Sequence, residues 1–124
     1  MDIQRETAEE KALFQRLREG YIESIPLKLA ELTSAWDQVR KKNWHADQVT
    51  VLKRQVHRLA GSGSSYGLPE ITQAARKLEK VLGPEQKKAE AGKTSLAPAC
   101  AAEFRELREV LVVLIDSNSN PRRV

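Results

Sequence analysis

His57 and Gly61 are the residues whose types and spacing could carry chemistry in this chain. They lie in the segment VHRLAGSGSSYGLPEI, residues 56–71, and neutral imidazole is a nucleophile near pH 7. On a helical wheel, His57 lies about 120° from the centre of the apolar stripe around it, so we predict an exposed ring. Side chains on a helix lean towards its N-terminus, so a side chain at position 61 would cover that ring. Glycine keeps the space open, at a cost to the helix of about 1 kcal/mol.

Other patterns that could carry chemistry fit this sequence poorly. Residues 63–67 match the hydrolase motif G-x-S-x-G, but that motif needs a strand before the serine and a histidine downstream, and none follows His57. The glycines do not make a phosphate-binding loop, because G-x-G-x-x-G would need a glycine at Tyr66 and Gly92-Lys93-Thr94 has no glycine five positions ahead of it. Two histidines and one cysteine without close spacing do not indicate a zinc site. We interpret His45 as a cap, turn or packing residue.

The elements that must position His57 are helices. Apolar residues recur at helical spacing in five stretches, and no window alternates as a β-strand does. These stretches are residues 6–20, 22–39, 49–59, 68–82 and 104–115. Because a helix with one apolar stripe cannot bury that stripe alone, an antiparallel bundle is the economical arrangement. We predict an all-α fold, an antiparallel four-helix bundle with an additional N-terminal helix.

Prolines, glycines and polar runs indicate where the helices begin and end. Ser24 as an N-cap and Pro26 in a first turn predict a break near residues 20–25. Gly83 and Pro84 predict the end of the fourth stretch, followed by a flexible loop over about 83–95. We expect residues 117–124 to fray.

The composition is that of one small domain. We treat residues 1–124 as a single unit with its core over about 7–116. The net charge of +4 comes from basic and acidic residues that are interspersed, which is typical of a solvated surface rather than a nucleic-acid-binding face. The single Cys100 suits a reducing compartment, and we find neither a signal peptide nor a membrane span. We expect a cytoplasmic monomer that binds no membrane.

The segment around His57 resembles the signature of histidine-containing phosphotransfer (HPt) domains. That signature joins a histidine, a leucine two positions on, a glycine four on, a second glycine ten on, and a closing Leu-Glu pair. In this chain these positions are His57, Leu59, Gly61, Gly67, Leu78 and Glu79. The resemblance is strong over residues 56–79 and looser over most of residues 7–116.

The resemblance implies a helical bundle that works as a phosphoryl carrier and not as an enzyme. His57 would accept a phosphoryl group from the aspartate of a response-regulator receiver domain and pass it to another receiver. The Mg²⁺ needed for transfer would belong to the receiver, so we expect neither a metal nor a cofactor in this chain. A hybrid histidine kinase is a further candidate partner.

Six residues make up the expected surroundings of the phosphoryl group. They are Lys53, Arg54, Arg58, Ala60, Gly61 and Ser64. The chain departs from the family at Ala60, where family members often have a lysine that could reach the phosphoryl oxygens. We predict that a nearby cation, Lys53, Arg54 or Arg58, supplies longer-range electrostatic help and favours docking to an acidic receiver surface.

Three alternatives stay open on the sequence alone. A histidine kinase catalytic domain could phosphorylate His57 directly, in place of a receiver domain. The chain could instead be a helical adaptor that binds partners without phosphotransfer. Such an adaptor would keep that binding when His57 is replaced by Gln. A nucleic-acid-binding bundle would show an affinity that falls steeply with salt.

Overall fold

The computed structural model describes residues 7–42, 45–92 and 98–118 and has four α-helices. Helix α1 spans Ala8–Lys41, α2 spans Ala46–Ser62, α3 spans Pro69–Glu90 and α4 spans Pro98–Asn118. A short 3₁₀ turn, Ser64–Tyr66, lies between α2 and α3. None of the described residues is in a strand, so the predicted all-α class is confirmed. None of these helices is long and apolar enough to cross a membrane.

The helices form a closed bundle in which α4 packs back against α1. Lys53 in α2 contacts Gln86 near the end of α3, whereas Ala60 near the end of α2 contacts Thr72 near the start of α3. These two helices therefore run antiparallel, and the contacts of α3 with α4 follow the same reversed order. His45 is the N-cap residue of α2, and its Nδ1 accepts a hydrogen bond from the backbone N–H of Asp47.

One apolar core runs through the bundle, and the predicted stripes other than the first, residues 6–20, supply most of it. Its largest fully buried side chains are Ile25, Leu32, Val39, Val49, Leu52, Val56, Leu68, Ile71, Leu78, Leu82, Leu107 and Leu111. Full burial of one such side chain contributes about 1.5–3 kcal/mol. Cys100 is also buried, and burial raises the pKa of its thiol to about 11. At neutral pH this thiol is therefore a protonated core residue.

The predicted separate N-terminal helix is wrong, because α1 is continuous through residues 20–25. The N-cap is Thr7, which forms a capping box with Glu10. Ser24 does not cap a helix: its Oγ donates to the carbonyl of Tyr21 at 2.6 Å. Pro26 lies inside α1 with its ring exposed. A proline there costs about 3 kcal/mol, which burial of the stripe on both sides of it offsets.

The first three turns of α1 extend beyond the core. Leu13 and Leu17 are each 50% exposed, and Phe14 is 40% exposed. Phe14 and Arg18 nevertheless approach the turn after α2, since both lie about 3.5 Å from where a Cβ on Gly67 would stand. This part of α1 therefore packs beside the His57 end of α2.

The predicted end of the fourth stretch at Gly83 and Pro84 is also wrong. Helix α3 continues to Glu90, and the left-handed Gly92 (φ +78°) follows its C-cap. Glu85, within the expected loop, is only 5% exposed and pairs with Lys88 at 3.1 Å. Burial on one face thus keeps the helix intact past the proline. Residues 93–95 of the expected loop and 119–124 of the expected tail lie outside the described residues, whereas 117 and 118 are helical.

Candidate functional site

His57 lies on the outward side of α2, where its side chain is 75% exposed. Val56 and Leu59 beside it are buried, and they anchor the helix so that His57 faces solvent. Arg54, Arg58 and Gly61 are exposed on the same side. The ring is therefore accessible to a partner approaching α2 from outside the bundle.

A carboxylate of α3 holds one nitrogen of this ring. Nδ1 of His57 lies 2.5 Å from Oε2 of Glu79, whose side chain is 27% exposed. An ionised carboxylate can only accept a hydrogen bond, so Nδ1 carries the proton in this pair. In the neutral ring the lone pair is then on Nε2. The geometry gives His57 one oriented nucleophilic nitrogen.

Three glycines lie within ten residues after His57, and they differ in whether folding requires them. A Cβ added at Gly61 would meet nothing within 4 Å, so folding does not require glycine there. At Gly63 the same atom would lie 2.8 Å from Oγ1 of Thr72, because α3 starts directly against it. Gly67 has φ +74°, a left-handed conformation that favours glycine. Gly61 alone leaves open space on the histidine side of α2.

Thr72 joins the end of α2 to the start of α3. Its Oγ1 donates to the carbonyl of Ala60 at 2.9 Å and accepts from the backbone N–H of Ser64 at 2.8 Å. Ala60 is 5% exposed, which corrects its predicted place beside the phosphoryl group: α3 packs against this side of α2 and covers it. Ser64 is exposed in the 3₁₀ turn. Sequence reasoning missed Thr72 and the partnership of Glu79, although Glu79 belonged to the recognised pattern.

A family model described as Hpt domain matches residues 16–114 of this chain. No curated protein and no solved structure matched this chain. The chain belongs to the HPt domain family. It is therefore a phosphotransfer module of two-component signalling, in a family whose members are phosphocarriers and not catalysts. The matched range begins within the exposed first turns of α1 and includes both His57 and Glu79.

The three predicted cations of this HPt domain lie in different environments. Lys53 is half-buried and donates to Oε1 of Gln86 at 3.0 Å, so it faces α3. Arg54 and Arg58 are exposed, and neither makes an ion pair with another described residue. Arg58 also lines, with Gly61, a cleft of about 600 Å³ between α2 and α1. Lys28 of α1 lines the same cleft and adds a cation that sequence reasoning did not include.

Two tyrosines form the apolar wall of this cleft. The rings of Tyr21 and Tyr66 stack with centroids 4.6 Å apart, and the hydroxyl of Tyr21 hydrogen bonds Oγ of Ser62 at 2.7 Å. Nζ of Lys28 lies 4.9 Å from the centroid of the Tyr21 ring. Burial raises the pKa of Tyr21, so its hydroxyl stays protonated at neutral pH. The pair ties α1 to the end of α2 that carries Gly61.

Within residues 7–42, 45–92 and 98–118, no group of three or more histidine, cysteine, aspartate or glutamate residues is placed to hold a metal ion. The expectation that this chain binds no metal stays a prediction.

Proposed function

We propose that His57 receives a phosphoryl group at Nε2 from the aspartyl phosphate of a receiver domain and passes it to a second receiver. In the first step the bond between Nε2 and phosphorus forms while the bond from phosphorus to the aspartyl oxygen breaks, and aspartate leaves as a carboxylate. The second step is the reverse reaction on another receiver. The observation that supports this most strongly is the exposed His57 ring with its Nδ1 held by Glu79.

Glu79 is the positioning residue in this proposal. It holds the proton on Nδ1, so the lone pair of Nε2 points away from the protein. As Nε2 bonds to phosphorus the ring gains positive charge, and the adjacent carboxylate stabilises that charge. Phosphoryl transfer depends chiefly on such positioning and on charge neutralisation.

Gly61 keeps the approach to Nε2 open. Glycine near the end of α2 lowers helix stability, and no neighbour in the bundle requires it. Its absent side chain is explained by a partner that must come close to the helix one turn after His57. The receiver loop that carries the aspartyl phosphate is that partner in our proposal.

Arg58 and Arg54 supply the positive charge for docking, in place of a lysine at Ala60. Arg58 is favoured because it shares a cleft with Gly61, whereas Lys53 is bound to Gln86. The interface we propose is small and transient, and covers the exposed side of α2 and the adjoining face of α1. Mg²⁺ stays with the receiver, since Glu79 is the only carboxylate among the described residues that contacts His57. The chain acts in the cytoplasm as a monomer.

Transfer from a phosphorylated receiver domain tests this function. Wild type should remove the label from the receiver and gain it, and His57→Gln should gain none. His45→Gln is the matched control, because His45 caps α2 at the other end and should transfer as wild type does. Label on His57→Gln would overturn the proposal. If the wild type is labelled only by a kinase catalytic domain, direct phosphorylation by a kinase replaces transfer from a receiver. If neither donor labels the folded wild type, the chain is an adaptor without phosphotransfer.

A further inference from the structure

A groove of about 660 Å³ lies between α1 and α4. Its floor is aromatic: the rings of Trp36 and Phe104 stack with centroids 4.3 Å apart and an interplanar angle of 6°. These two residues are 6% and 7% exposed, respectively, and half-buried Leu29 and Val112 extend the apolar surface. The groove thus has an apolar floor that the helices of the bundle leave open.

Arginines line this groove. Arg40 of α1 and Arg105 and Arg108 of α4 are exposed, and none of their side chains makes a hydrogen bond or ion pair with a described residue. Asp37 is the only acidic residue among those that line the groove, so three positive charges and one negative leave two positive charges in excess. Guanidinium groups beside an apolar floor favour a ligand with carboxylates next to apolar groups.

The shape of the groove favours an elongated ligand over a small anion. The lining residues run from 29 to 40 on α1 and from 101 to 112 on α4. At 1.5 Å per residue each edge is about 16 Å long, which is three turns of a helix. The arginines are spread along these edges and do not converge on one point. We propose that this groove binds an acidic amphipathic helix of a partner protein, with its apolar side chains on Trp36 and Phe104 and its carboxylates on the arginines.

The groove lies on the opposite side of the bundle from the phosphotransfer site. His57 and Glu79 mark the edge between α2 and α3, whereas the groove is between α1 and α4, and neither pair of diagonal helices is in direct contact. A helix bound here would leave His57 accessible. This inference does not depend on the role of His57, so the two proposals fail separately.

Two synthetic peptides of about 15 residues provide the probe, a length of about 22 Å as a helix. Both carry leucine and phenylalanine on one face, flanked by glutamates in one peptide and by lysines in the other. We expect the glutamate peptide to bind, with a change in tryptophan fluorescence, and the lysine peptide not to bind. Arg105→Gln/Arg108→Gln should weaken binding at least about tenfold, because it removes two charge-assisted contacts.

The matched control is Arg76→Gln/Lys80→Gln on α3, which removes the same charge from exposed positions away from the groove. It should bind within about twofold of wild type at equal ionic strength. Circular dichroism verifies that both variants are folded. Equal binding by the two variants, or no binding of the glutamate peptide up to about 1 mM, overturns the proposal. So does a dimer of the protein alone that Arg105→Gln/Arg108→Gln dissociates, since a second copy would then occupy the groove.

Discussion

In the proposed transfer, the hydrogen bond between His57 and Glu79 determines which ring nitrogen attacks phosphorus. In an isolated histidine both tautomers exchange, and neither nitrogen has a fixed direction. Here Glu79 accepts from Nδ1 at 2.5 Å while most of the ring stays exposed. The same carboxylate that orients the ring is placed to balance the charge that transfer creates.

Glu79→Ala should slow phosphoryl transfer to His57 by about tenfold or more, because a hydrogen bond to a charged group is worth about 1.5–3 kcal/mol. Glu79→Gln should restore part of the rate, since its amide oxygen can still accept from Nδ1. Nitrogen NMR of the His57 ring measures the tautomer directly: wild type should have the proton on Nδ1, and Glu79→Ala should shift it towards Nε2. A wild-type tautomer and rate in Glu79→Ala would show that Glu79 does not position the ring.

The sequence predicted part of this site at the residue scale. The apolar stripe of α2 was sufficient to place His57 outward, since the wheel depends only on that helix. The pairing with Glu79 was not predictable in the same way, because the two residues are 22 positions apart and meet only through the register of α2 against α3. The burial of Ala60 depends on the same register.

At the scale of elements, the glycines near the end of α2 differ in whether folding or function explains them. Gly63 and Gly67 have backbone or packing reasons to be glycine, and Gly61 has none within the bundle. Gly20 in α1 provides a comparison for helix stability, since a Cβ there would also meet nothing within 4 Å. Substitutions at Gly61, compared with substitutions on other helices, therefore distinguish helix stability from access to His57.

Gly61→Ala and Gly20→Ala should each raise the free energy of unfolding by about 0.5–1 kcal/mol, because alanine favours the helix. A larger residue tests access to the ring. Gly61→Leu should fold and lose at least about tenfold in phosphotransfer, since the side chain enters the space over the ring, whereas Ala102→Leu, at an exposed position of α4, should transfer as wild type does. Urea unfolding and transfer rates measure both quantities. Equal transfer by the two leucine variants would contradict the role given to Gly61.

Gly63→Ala should lower the free energy of unfolding by about 2 kcal/mol, the opposite sign to Gly20→Ala. Its Cβ would lie 2.8 Å from Oγ1 of Thr72 and 2.9 Å from the carbonyl oxygen of Leu68, so α3 would have to move away from α2. Urea unfolding of the two alanine variants measures the difference. A neutral or stabilising Gly63→Ala would show that the contact between the helices is looser than described.

The helix boundaries were the least predictable elements, and prolines explain why. By local preference Pro26 favours the start of a helix and Pro84 the end of one, yet both lie inside helices. Buried residues on either side of each proline, such as Ile25 and Glu85, keep α1 and α3 continuous. Local preference is a short-range property, whereas this burial depends on neighbouring helices that a single segment does not reveal.

At the scale of the whole molecule, the stripes were sufficient to predict a helical bundle, because each of them needs a partner surface. The groove between α1 and α4 was not predictable, since it depends on which arginines meet across two helices 60 or more residues apart in sequence. The distribution of charge also depends on which side of a helix is exposed: the exposed side of α2 carries Arg54 and Arg58 around His57. That face should attract an acidic receiver.

Arg54→Gln/Arg58→Gln should slow transfer from a phosphorylated receiver by about threefold to tenfold at low salt, because docking loses two attractive charges. The difference from wild type should shrink as salt rises, since exposed charges are screened. Arg105→Gln/Arg108→Gln, on the opposite side of the bundle, provides the control with equal net charge. Transfer rates over a series of ionic strengths check this, and a double variant with the rate and salt dependence of wild type would contradict electrostatic docking at α2.

The most direct test of the central claim is to treat the protein with a small phosphoramidate donor and locate the phosphate by peptide mapping. The account predicts one acid-labile, base-stable phosphate on His57, with ³¹P NMR placing it on Nε2, and none on His57→Gln. A phosphate on a different residue, or a folded wild-type protein that takes none, would contradict it.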